Sequence, residues 1–378
     1  MPASSLSSPL HPSVSAILMH RARRRCGRGI RPLFRRAAAL AVAAGTALAA
    51  PPAGAAGATE RARAAPVLTL YVENDSFTGS DEYYTSGVKL SWLSADLVDW
   101  GQTGWRRRFV EILPFVNRPG GQKNFGLAIG QNIYTPRDTT RANPDPADRP
   151  YAGWTYVELA FVSKTAAVSD RLSLQAGIVG PNSLARDSQR TLHRWIGTTR
   201  PMGWDYQLRN EAGVNLGFER RWRLYARALV QTLGLDLIPH LGASLGNVQT
   251  YANAGGTLRF GFNLPSDFGV QLARPGSVGG SPTDDLDPRV ALDRNFSLFG
   301  FGTADGRAVA RDIFLDGNTF RTSRSVSKRP FVADLGAGVG LIAGPWQLTY
   351  TQVWRTREFK AQRGRFNNFG SVTLSRAY

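Results

Sequence analysis

The chain has 378 residues, with 46 Lys and Arg against 28 Asp and Glu for a formal charge of +18, and it carries four histidines and one cysteine. A single thiol excludes a disulfide framework, and Cys26 lies in a segment that reads as a removable leader, so cysteine catalysis and thiolate metal centres are excluded too. The basic balance invites a nucleic-acid partner, but the export signal described next makes anionic lipid or sugar phosphate the better match and leaves no role for nucleic acid.

Residues 21–36 hold eight arginines and no acid, and 37–50 is an almost unbroken run of small apolar residues ending in Ala-Leu-Ala at 47–49. A basic stretch, a short apolar stretch and a small-residue cleavage site describe a secretory signal peptide. The apolar run is too short to span a bilayer. The expected organisation is a leader over 1–58 and one domain over 59–378. Taking those eight arginines off the 46 bases leaves +10 against 28 acids, with His193 and His240 as the remaining histidines. Two imidazoles cannot make a three-histidine zinc site.

Beyond the leader, segments of about ten residues alternate apolar and polar. Leu68, Leu70 and Val72 share one face, opposite Thr69, Tyr71, Glu73 and Asp75; Val88, Leu90 and Trp92 oppose Thr85, Gly87, Lys89 and Ser91. Side chains in a strand alternate with period two, so this hairpin sets Asp75 and Thr85 on its polar face near one rim. The pattern returns in Phe125, Leu127 and Ile129, in Val157, Leu159 and Phe161, in Leu258, Phe260 and Phe262, and from Phe331 to Leu341. The expected strands are 66–75, 84–95, 123–133, 152–163, 169–179, 208–221, 235–246, 249–263, 295–315, 326–343, 345–358 and 367–378. A short amphipathic helix is expected within 96–122, another helix over 184–197, and a Gly/Pro/Asp-rich loop over 264–294.

Weak apolar-out, polar-in repeats are the signature of a closed barrel, the sheet that crosses a bilayer without unpaired edges. The fold class is therefore all-β: an antiparallel up-and-down transmembrane β-barrel of about twelve strands, with a short helix in an extracellular loop, placed in the bacterial outer membrane as a monomer. A secreted soluble sandwich is the competing reading, and the number of long two-faced strands argues against it.

In such a barrel connections 1–2, 3–4 and 5–6 open at the same rim. They carry Asn74, Asp75 and Thr85; then Arg137, Arg141 and Arg149; then a helix on which Gln189 and His193, four apart, share a face. Imidazole titrates near neutrality, so His193 is the natural general base. Glu73, Asn74, Asp75 and Asp81 offer hard oxygens suited to calcium, or form a solvated turn; both readings stand. The loop arginines serve equally as phosphate clamps or as solubilising charge. The chain has no Gly-x-Ser-x-Gly elbow, His-Glu-x-x-His or phosphate loop.

Glu-Asn-Asp-Ser-Phe (73–77), Tyr-Tyr-Thr-Ser-Gly (83–87), Gly-Gln-Asn-Ile-Tyr-Thr-Pro (130–136), Asp-Arg-Pro-Tyr-Ala-Gly-Trp (148–154), Gln-Arg-Thr-Leu-His (189–193) and Gly-Trp-Asp-Tyr-Gln-Leu-Arg-Asn-Glu (203–211) occur in this order. In these motifs the chain resembles the lipid A 3′-O-deacylase family, most densely over 70–220. The resemblance implies a twelve-stranded barrel that is a calcium-dependent carboxylic ester hydrolase, releasing the 3′-linked acyloxyacyl group of lipid A, with lipopolysaccharide and outer-membrane lipids as its partners. It implies that His193 is catalytic with Gln189 as its helix partner, that Asn74, Asp75 and Thr85 belong to the metal and oxyanion region, and that Arg141 stands where the family has a lysine. A phospholipase-like esterase and a non-catalytic porin are the alternatives.

Overall fold

Antiparallel pairing carries the alternation into a wall. The computed structural model describes residues 65–78, 83–97, 121–228, 232–274, 277–291 and 293–378. The leader expected over 1–58 lies outside them, as do residues 98–120, on which nearly all of the helix expected within 96–122 falls. The strands are β1 (Val67–Asn74), β2 (Tyr83–Leu93), β3 (Gln122–Thr135), β4 (Ala152–Lys164), β5 (Val168–Val179), β6 (Glu211–Trp222), β7 (Tyr225–Ala228), β8 (Leu233–Gly246), β9 (Gln249–Phe262), β10 (Phe296–Asp312), β11 (Phe331–Ala343), β12 (Trp346–Thr356) and β13 (Phe366–Ala377).

Strands adjacent in sequence pair with each other except β6 and β7, β1 pairs with β13, and β6 pairs directly with β8. These pairings close a ring of twelve strands, with β7 attached to β8 as a short thirteenth. Closure leaves no open edge, the condition for strands in lipid. Among the described residues no helix is long and apolar enough to cross a membrane, and the crossing is made by strands. Residues of the barrel up to Arg194 and from Thr198 onward belong to one compact unit.

The outward positions are apolar and open: Val88, Ile129, Val157, Leu216, Leu258, Phe260, Leu298 and Val339 are all exposed. Inward positions carry buried charge. Lys89 Nζ lies 3.0 Å from Glu158, and Asp236 receives Arg259 at 2.6 Å. His240 Nε2 meets Asp305 at 2.8 Å, which makes this histidine part of the lumen filling.

The 264–294 connection departs most from expectation. It is a loop, but it runs inward as a plug. Ala273 N–H donates to Glu73 at 2.8 Å, and Lys89 donates to the Arg274 carbonyl and the Ser277 hydroxyl, each at 3.3 Å. Arg259 and Arg289 both hold Asp267, at 2.6 and 2.9 Å. Val278 is fully buried in a cluster with Ala128, Ala160 and Val162 of the wall. Its polar composition matches a lumen lined with charge as well as it matches water, which is why composition alone reads as a surface loop.

Candidate active site

The connection from β5 to β6 begins with a 3-10 turn (Pro181–Ser183) and continues into helix α1 (Ala185–Ile196). Asp187 in the first turn and Arg194 in the last complement the helix dipole. Past its end, the His193 carbonyl accepts from Thr198 N–H at 3.0 Å. The buried stripe is Ala185, Gln189 and His193, spaced four apart. A helix normally buries apolar residues; this one turns an amide and an imidazole toward the protein.

The stripe faces the outer wall of the barrel. Gly153 on β4 has the outward parity of Val157, and a Cβ there would overlap Ala185 and the Ser183 hydroxyl. Thr155 and Gln131, also outward, hydrogen-bond the Ser183 carbonyl at 2.6 and 2.7 Å. Ile133 clusters with Tyr151, Ala185 and Trp204. Ile133 is 4% exposed, whereas Ile129 on the same face is 55% exposed. At this rim α1 covers wall that lower down is bare.

Both buried polar side chains of α1 are oriented by neighbours. His193 Nδ1 lies 2.7 Å from the Thr199 carbonyl. A carbonyl only accepts, so Nδ1 carries the proton and the lone pair of the neutral ring lies at Nε2. Trp204 Nε1–H donates to Gln189 Oε1 at 2.7 Å. An indole only donates, so the amide cannot be reversed; its buried Nε2 has no hydrogen-bond partner among the described residues. Trp204 and Thr199 were not identified as site residues from sequence. The Gly-Trp-Asp-Tyr run at 203–206 was the available signal.

At the 1–2 connection a β-bulge changes the faces read from alternation. The β2–β3 register slips between Tyr84 and Ser86, so Thr85 is the bulged residue and simple parity does not place it on the lumen face. The lumen residue of this hairpin is Glu73, bonded to Tyr84 at 2.8 Å. Asn74 has the outward parity of Leu68, Leu70 and Val72, and Asp75 has left the strand to begin a 3-10 turn (Asp75–Thr78). Both are buried. In register, Asn74 pairs with Ser86, Ser86 with Ile133 and Ile133 with Gly153. Asn74 therefore stands on the same outer face and rim as α1, about 10 Å, two strand spacings, from the Ile133 row.

The arginines separate. Arg137 and Arg141 are exposed on the 3–4 connection, which meets the segment after α1 where Met202 N–H donates to the Thr139 carbonyl at 2.9 Å. Arg149 points elsewhere. It is fully buried, 3.1 Å from Glu358 and stacked over the Tyr134 ring at 4.9 Å. Burial pushes the Glu358 carboxyl up, but Arg149 and Arg355 outweigh it and hold it below the ordinary glutamate range. Arg149 is therefore a tie between the 3–4 and 12–13 connections, not a group turned toward a ligand.

Among the described residues no group of three or more His, Cys, Asp or Glu is placed to hold a metal ion. Glu73 has both oxygens engaged, by Tyr84 and by Ala273. The remaining oxygens, the carboxylate of Asp75 and the amide of Asn74, are of the hard kind that suits calcium and not a transition metal. Asp81 lies outside the described residues.

A closed barrel with an apolar outer band, a plugged lumen and a polar pair under a rim helix defines an outer-membrane β-barrel protein, with that pair set against the outer face of its wall. The chain belongs to the lipid A 3′-O-deacylase family: the model of outer membrane protein LpxR matches residues 38–378. LpxR from Salmonella typhimurium shares the fold at 18% identity and a TM-score of 0.62, covering 82% of this chain and 100% of that one. The β domain of the Bordetella autotransporter BrkA aligns at 10% identity with a TM-score of 0.39, covering 84% of this chain and 100% of that one. No curated protein sequence matches the chain.

Proposed function

We propose that the chain hydrolyses the 3′-linked acyloxyacyl ester of lipid A at the outer leaflet, with His193 activating water. The observation that carries this reading is the tautomer lock: Nδ1–H is held by the Thr199 carbonyl at 2.7 Å, so the basic nitrogen is Nε2 on a buried helix face that covers lipid-facing wall. Family membership supports lipid A as the substrate. The exposed Arg137 and Arg141 supply cations for its phosphates.

In the reaction, His193 Nε2 takes a proton from water as the water oxygen attacks the ester carbonyl. The tetrahedral oxyanion collapses, the sugar 3′-oxygen leaves, and the imidazolium returns the proton to it. Gln189 Nε2–H, fixed by Trp204, donates to the attacking water or the oxyanion. Asp75 with Asn74 would hold calcium, which when bound polarises the carbonyl. Thr85 belongs to the same rim region. No serine is required, and no acyl-enzyme forms.

The test is mass spectrometry of lipid A from cells expressing the chain or its His193→Ala variant. The parent should remove one acyloxyacyl mass, and the variant should be slower by about 10²–10⁴-fold. Equal loss with the variant, or unchanged lipid A beside abundant folded parent, would overturn the proposal.

A further inference from the structure

Across the ring from α1, with its floor on β9, β10 and β11, the outer face carries a groove that this chemistry does not use. Its floor is made of small residues adjacent in register. Leu241 pairs with Ala254, Ala254 with Gly306, and Gly306 with Ala333. One step toward the rim, Ala252 pairs with Ala308 and Ala308 with Phe331. Deeper in the wall the outward positions are large, among them Leu258, Phe260, Leu298 and Leu335. The change in size hollows a groove of ≈ 870 Å³ that Leu241, Phe331 and Phe366 flank. Phe331 is 75% exposed, an aromatic held out beside an empty trough.

Arg329, Arg357 and Arg365 line the same groove just beyond the strand ends, at the rim that carries α1. No guanidinium of the three has an ion pair or hydrogen bond among the described residues, and Arg329 Nε is buried without a partner. Arg365 lies 5.7 Å from the Phe366 ring. No acidic side chain lines the groove. Three cations beside one another with no counter-charge favour an anion with several charges, and guanidinium forks match phosphate oxygens bidentately. The apolar trough beneath them suits a hydrocarbon chain.

We propose that this groove is a second, non-catalytic binding site for phosphorylated glycolipid of lipid A chemistry, with an acyl chain along the Ala/Gly floor and a phosphate among the three arginines. The inference rests on the reading that the α1 rim faces the outer leaflet. It needs no catalytic group, and the groove offers no histidine or carboxylate.

Two variants isolate the two halves of the site. Arg329→Gln/Arg357→Gln/Arg365→Gln removes the charge. Gly306→Leu fills the floor, where an added Cβ meets nothing closer than 3.8 Å, so the wall need not move. Each is made in full-length protein carrying His193→Ala, which prevents turnover. Bound lipid A is counted in detergent micelles by native mass spectrometry, with thermal unfolding as the folding control. The parent should hold a lipid A that both variants bind at least tenfold more weakly, and that dephosphorylated lipid A and phosphatidylglycerol do not replace. Undiminished binding in both folded variants, or equal occupancy by either control lipid, would overturn the proposal. Deacylation measured separately with His193 intact distinguishes the readings: a chain that keeps the groove lipid but never deacylates loses the catalytic reading and keeps this one.

Discussion

At the scale of single residues, the site depends on groups that hold other groups still. Gln189 shows this most directly. An amide on a helix face can present either end, and only the Trp204 indole, donating to Oε1 at 2.7 Å, turns its N–H₂ away and makes it available. Trp204 is fully buried and packs on Tyr151 with ring centroids 4.9 Å apart, so the donor itself has no freedom to swing. Trp204→Phe keeps most of that packing and deletes the donor, at a net cost of about 0.5–1.5 kcal/mol for a neutral hydrogen bond. If Gln189 acts in the transition state, kcat should fall about tenfold, equivalent to about 1.4 kcal/mol, while KM stays near its parent value. A variant with unchanged kcat would remove Gln189 from the mechanism, because a merely structural amide would shift stability and leave the kcat-to-KM split untouched.

At the scale of elements, helix α1 is seated by a missing side chain. Gly153 is the point where β4 and α1 touch, and its backbone carbonyl also accepts from Gly180 N–H at 3.0 Å, drawing the start of the connection down onto the wall. Gly153→Val would force Ala185 and Ser183 outward. Overpacking of this kind costs about 1–3 kcal/mol, little against a closed barrel but enough to lift a helix attached along one face. The expected result is a barrel with normal heat-modifiable mobility in gel electrophoresis and deacylation reduced at least tenfold, with Gly153→Ala between it and the parent. Full activity in the valine variant would mean that the seat of α1 does not position His193.

At the scale of the whole molecule, what was legible in the sequence was what period-two alternation records. Phe125, Leu127 and Ile129 mark the lipid face because lipid demands it at every turn of the pleat, and the strands they imply match those observed to within a few residues at most ends. The four residues of β7 are too few to show a period. The register slip between Tyr84 and Ser86 interrupts the alternation at the rim end of β2 because one extra residue leaves composition unchanged while altering parity. The direction of the 264–294 connection is a matter of long-range contacts, Ala273 N–H to Glu73 and Lys89 to the Arg274 carbonyl and Ser277 hydroxyl, which no local pattern encodes. That plug bears on the porin alternative. Among the described residues two voids within the lumen measure ≈ 50 and ≈ 40 Å³, each with room for a few waters and none for a sugar, so liposomes carrying the parent should not swell in arabinose. Arg259 binds Asp236 and Asp267 while 1% exposed, and removing it together with Arg289 strips the buried Asp267 of both cations while Asp236 keeps Arg223 at 3.3 Å, at a cost of about 3–5 kcal/mol for a broken buried pair. Arg259→Ala with Arg289→Ala should release the plug and let liposomes swell, with α1 and its chemistry on the outer wall retained. Swelling by the parent would favour a porin; a doubly substituted barrel that stays sealed would show that the apolar contacts of Val278, and not the charges, hold the plug in place.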